Sequence, residues 1–115
     1  MASRSIIIFF SILFITGINA CKTTKTQTTP LVTYTKDVKS IIDMNCGNRC
    51  HNATRPADGI DLTTYEKVKA QTLNGKLLMA IQHMEGAEPM PKNSPKLDDS
   101  SIQTLIDWAN SGADL

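Results

Sequence analysis

The sequence predicts an all-α domain of about four short helices behind an export leader. Three observations carry this expectation. Four segments repeat apolar residues at helical spacing and are bounded by capping or breaking residues. No segment alternates apolar and polar residues for long enough to make a strand. The 115 residues, once the leader is set aside, suffice for one small core and no more.

Taken in order, Met1 to Ser5 carries Arg4 and no acid, and Ile6 to Ile18 is a largely apolar run of thirteen residues. That run is too short to span a bilayer comfortably as a helix, so residues 1–20 read as a signal peptide. Its end, Ile18-Asn19-Ala20-Cys21, resembles a bacterial lipobox, which makes Cys21 the expected site of lipid attachment and the mature N-terminus. Residues 21–34 read as a lipid-anchored tether, because Lys22 to Thr29 holds five threonines, two lysines and a glutamine with no apolar periodicity.

The domain is expected over residues 35–115. Thr35 is the candidate N-cap of a first helix, with Val38, Ile41 and Ile42 at helical spacing up to Met44. Asn52 to Asp61, broken by Pro56 and Gly59, reads as loop. Thr63 with Glu66 suggests a capping box opening a second helix, with Tyr65, Val68 and Thr72 on one face and an end near Asn74-Gly75. Leu77, Leu78, Ile81 and Met84 mark a third. Glu85 to Lys96 has three prolines and one glycine and is expected to be an extended loop carrying Met90. Asp98 or Asp99 then caps a fourth helix striped by Ile102, Leu105, Ile106 and Ala109, with Gly112 at the C′ position.

Charge excludes little but does exclude a nucleic-acid partner as the default: 12 basic residues face 11 acidic ones, and the leader removes Arg4. A neutral surface has no strong one-sign field to steer partners, so any docking site is local. Three cysteines are an odd number for an exported chain; assigning Cys21 to lipid leaves Cys46 and Cys50 for one task.

That pair lies in Cys46-Gly47-Asn48-Arg49-Cys50-His51, one residue longer than the C-x-x-C-H signature of covalent haem attachment. Two thiols that add to vinyl groups on one porphyrin edge, with an imidazole beneath the iron, are what such attachment needs. Residues three or four apart share a helical face, so both thiols can reach the ring, and Gly47 is expected to lend the backbone freedom for the added residue. A thioether opposite the histidine suits an electron carrier. Met90, between Pro89 and Pro91, is the best candidate; Met79, Met84 and His83 are rivals, Met79 reading better as core and His83 as a solvent-facing helix end.

The order of short helix, Cys-His run, Gly59-Ile60-Asp61-Leu62 loop, capped helix, Met90-Pro91 and closing helix with Leu105-Ile106-Asp107-Trp108-Ala109 resembles the small monohaem c-type cytochrome domains of bacterial exported proteins. The resemblance spans Tyr34 to Asp114. It implies one covalent haem c with thioethers at Cys46 and Cys50, axial ligation of iron by His51 and Met90, and first and last helices that cross through Ile41 or Ile42 and Leu105 or Trp108. It further implies an electron-transfer protein rather than an enzyme. Such a protein would sit at the periplasmic face of a membrane, with periplasmic or membrane redox proteins as partners and no small-molecule substrate. Competing readings are a haem-based sensor or gas-binding domain without the Met ligand, a haem-free envelope lipoprotein with a Cys46–Cys50 disulfide, and a zinc site. Trp108 reads as core, with its indole N–H a possible partner for a haem propionate; Arg49 and Arg55 are candidates for the same role.

Overall fold

The structure, a computed structural model, describes residues 31–115. The signal peptide, Cys21 and nearly all of the tether lie outside the described residues. Within them the chain is helical, with no strand and no helix long and apolar enough to cross a membrane.

Tyr34–Val38, Lys39–Ile42 and Asp43–Gly47 follow one another without a break and together form α1. The outer two segments are wound as π-helix and the middle one as α-helix. Tyr34, Val38 and Ile42, each four residues on from the last, are buried along one side, and Cys46 packs partly against the same core. The helix begins earlier than the sequence suggested: Thr33, not Thr35, stands at its N-cap. The Thr33 side chain makes no cap bond; its amide instead donates to Asp37 Oδ2 at 2.8 Å.

Helix α2 spans Tyr65–Leu73 and buries Val68 and Thr72. Its cap is Thr64, whose hydroxyl accepts from the Lys67 amide at 3.4 Å. The expected Thr63–Glu66 capping box does not form, because Asp61 claims Thr63 first: Asp61 Oδ1 accepts from the Thr63 amide at 2.8 Å and its hydroxyl at 2.6 Å. Gly75, at φ 82°, turns the chain so that α3, Lys76–Ile81, starts at once. Leu77 and Ile81 are its buried residues. Met84 lies beyond its end and is exposed.

Helix α4 spans Asp99–Asn110 behind Asp98. Asp98 Oδ1 accepts from the Ser101 amide at 2.9 Å, and Oδ2 from the Ser101 hydroxyl at 2.7 Å. These bonds to its charged form, with that from the Ser100 hydroxyl, hold the Asp98 carboxyl well below the usual carboxylate range. The buried stripe is Ile102, Leu105 and Trp108, with Ile106 packed at its margin. A Schellman turn ends the helix: Gly112 at φ 97° donates to Ala109 O, and Ala113 donates to Trp108 O at 2.9 Å.

The first and last helices meet through the opening turn of α1 rather than its middle. Tyr34, Tyr65 and Trp108 form one aromatic cluster, with centroid separations of 5.3, 5.7 and 6.4 Å. The polar ends of these rings and the first helical amide find partners in the C-terminal segment. Asp114 O accepts from the Tyr34 amide at 3.0 Å and from Trp108 Nε1–H at 2.6 Å. Ala113 O accepts from the Tyr65 hydroxyl at 3.0 Å. The indole donor is therefore engaged within the frame and is not free for a propionate.

This junction has a measurable consequence for stability. Trp108 is fully buried, so Trp108→Ala is expected to cost about 3–5 kcal/mol in urea unfolding of the purified protein. Trp108→Phe should cost only about 1–2 kcal/mol, because a ring remains and the Tyr34 amide still satisfies Asp114 O. Equal losses would show that the indole N–H, not packing, carries the junction.

Candidate functional site

A cavity of about 910 Å³ lies between the C-terminal end of α1, the 57–62 loop, α3 and the loop carrying Met90. Its size falls within the range of small-molecule and cofactor sites. Cys46, Cys50, His51 and Met90 all line it, together with apolar side chains that include Ile60, Leu62, Leu77 and Ile81. The junction of Tyr34, Tyr65 and Trp108 contributes nothing to its walls.

The winding of α1 explains how the longer Cys-His run is accommodated. In C-x-x-C-H, the first cysteine and the histidine are four apart, the spacing of an α-helical hydrogen bond. Here they are five apart, and the His51 amide donates to Cys46 O at 2.9 Å, an i→i+5 bond of the π type. Asn48 donates to Asp43 O in the same manner at 3.3 Å. The added residue is thus taken up as one wide turn. Gly47 does not supply the freedom expected of it: its φ is not in the left-handed region, and an added Cβ would meet Ile42 O and Leu62 O at ordinary contact distances of 3.6 and 3.7 Å.

His51 is buried, and its orientation is fixed. Nδ1 lies 2.8 Å from Ile60 O. A carbonyl can only accept, so Nδ1 carries the proton and, in the neutral ring, Nε2 keeps a free lone pair. This is the arrangement by which a metal-binding imidazole is held from behind. The Leu62 amide donates to His51 O at 2.9 Å and the Ala57 amide to Cys50 O at 2.8 Å, which staples the intervening loop to the motif. Asp61 steadies that loop. Lys67 at 2.5 Å, with Thr63, lowers its pKa to about 2.

The two thiols sit in different surroundings. Both are free, Cys50 exposed and Cys46 partly buried. Burial, with a smaller contribution from Cys50, pushes the Cys46 thiol up to about 11. Met90 is half-buried on the cavity wall. Its loop carries an exposed Lys92–Glu88 ion pair that spans it, and the Glu88 carboxylate raises the Lys92 pKa.

Among the rivals, Met79 also lines the cavity and is absent from the buried core, contrary to its reading as core. Met84 and His83 are exposed and do not line it. Arg49 is on the wall and Arg55 is not. Sequence reasoning missed Lys76 and Lys92, which add positive charge to the wall, and the Ile60 carbonyl. No side-chain pattern marks a carbonyl acceptor. Among the described residues no three His, Cys, Asp or Glu side chains converge to hold a metal ion.

The donor types lining the cavity are those a covalent haem would need: two thiols, an imidazole held through Nδ1, a thioether on the Met90 loop, and aliphatic side chains between them. In haem-free reduced protein, alkylation at pH 8 should modify Cys50 well ahead of Cys46, since a thiol with a pKa of about 11 is ionised in only about one molecule in a thousand there. Peptide mass mapping reads the order, and equal rates would contradict the difference in environment. No protein-family model, no curated protein and no solved structure matches this chain.

Proposed function

We propose that this chain is a single-haem c-type electron carrier, exported and tethered through Cys21 to the periplasmic face of a bacterial membrane. Cys46 and Cys50 would hold haem c through thioethers, and His51 and Met90 would supply the ligands to its iron. The observation that carries the reading is the meeting of both thiols, a His51 ring held through Nδ1, and Met90 on one apolar cavity of about 910 Å³.

When bound, the haem iron supplies one-electron exchange between its ferrous and ferric states. The remaining work belongs to the chain. The Ile60 carbonyl fixes the tautomer and orientation of His51. Leu62, Leu77 and Ile81 exclude water and lower the local dielectric, which together with thioether ligation favours a higher potential. Arg49 and Lys76 offer cations to the carboxylates of the porphyrin, Lys92 being paired with Glu88. The exposed side of the motif at Cys50 leaves a short path to a partner, and partners are expected to be periplasmic or membrane redox proteins.

Protein produced alongside a cytochrome c maturation system should carry one haem that survives denaturation and gives a c-type pyridine haemochrome. Colourless protein with an intramolecular Cys46–Cys50 disulfide would overturn the proposal in favour of a haem-free lipoprotein.

The distal ligand has its own test. Met90→Ala should abolish the far-red Met-to-iron band of the ferric protein while leaving covalent haem in place, and Met79→Ala should keep the band. The reverse pattern would assign the iron to Met79. Ready binding of carbon monoxide by the ferrous wild type would favour a gas-binding domain instead.

A further inference from the structure

We propose that His83 is a positioning residue whose imidazole straps Met90 to the end of α3. Its bearing on iron rests on the distal ligation proposed above, but the strap itself is a property of the chain.

Helix α3 ends in a Schellman turn with an unusual occupant. The His83 amide donates to Ala80 O at 3.2 Å and the Met84 amide to Met79 O at 3.0 Å, which places His83 at C′, at φ 56°. Glycine dominates that position because a Cβ is crowded in left-handed backbone. An exposed histidine there carries a steric cost with no burial to offset it. Its imidazole makes one bond: Nε2–H donates to Met90 O at 3.1 Å. The Met90 amide donates to Ala80 O at 3.0 Å, the same carbonyl that accepts from the His83 amide. Both polar groups of the Met90 backbone are therefore tied to one helical turn, and the side chain of Met90 projects from a doubly anchored residue at the cavity wall.

Three substitutions separate side-chain strapping from backbone fit. His83→Gly relaxes the turn and deletes the imidazole. His83→Asn also tolerates left-handed backbone, but its amide nitrogen stops near the place of Nδ1. His83→Gln fits the backbone worst, yet brings an N–H to the reach of Nε2. Pro89 and Pro91 have no N–H, so the Met90 amide reports alone in hydrogen exchange of the 89–91 segment. In the complete protein, exchange at Met90 should be about 3- to 10-fold faster in the Gly and Asn variants and near wild type in the Gln variant. In the haem-loaded protein the far-red band should weaken and the potential fall in the first two and recover in the third. If backbone fit alone mattered, Gly and Asn would equal or surpass wild type and Gln would be worst; that order, or unchanged exchange in all three, overturns the proposal. Should the wild type lack a far-red band, the distal-ligand reading fails by itself, and the exchange order still decides the strap.

Discussion

Two backbone carbonyls near the C-terminus, those of Ala113 and Asp114, hold the helical frame together. They accept from the first amide of α1, from the indole of α4 and from the phenol at the start of α2. A chain this short buries too little surface to leave such groups unpaired, since each unmatched buried donor costs about 1–3 kcal/mol. Among the described residues no buried side-chain nitrogen or oxygen lacks a partner. The frame is thus closed at the N-terminal end of α1, where Tyr34, Tyr65 and Trp108 pack. Toward the other end of the same helix the chain leaves a cavity.

What surrounds that cavity is held mainly by backbone bonds. His51 is oriented through Ile60 O, its carbonyl is tied to the Leu62 amide, and Cys50 O is tied to Ala57. Met90 is tied to Ala80. Side chains around the opening are thereby free to be chosen for chemistry: thiol, imidazole and thioether at three points, aliphatic residues between them, and cations at the rim. Such separation of support from chemistry lets a small domain present a pre-arranged set of donors without a large core of its own.

Much of this was legible in the residues. The stripes of α2, α3 and α4 were readable because apolar spacing and Gly/Asp punctuation agreed with one another, and Gly112 and Asp98 perform the roles their positions suggested. Boundaries were less so. Thr63 and Thr64 are chemically equivalent as caps, and the choice fell to Asp61, whose bonds to Thr63 are visible only in three dimensions. The wide winding of α1 left no mark either, because five residues are too few to show a period. Cys46, Cys50, His51 and Met90 were nameable from type and spacing, and the fold gathers all of them. Met79 was misjudged because a methionine among leucines gives no hint of which side of a short helix it takes. His83 is the solvent-facing helix end its position suggested, but its left-handed backbone and its bond to Met90 O belong to the loop's path back across α3, which the sequence does not display.

The wide turn between Cys46 and His51 bears on redesign. A π-type turn is what a helix becomes when one residue is inserted and the flanking hydrogen bonds re-form around it. Removing a residue from the Gly47-Asn48-Arg49 stretch returns the spacing of an ordinary α turn, with the Cys carbonyl still facing the His amide. The change falls beyond Tyr34, Val38 and Ile42, so a shorter run would leave the buried side of α1 in register with the core.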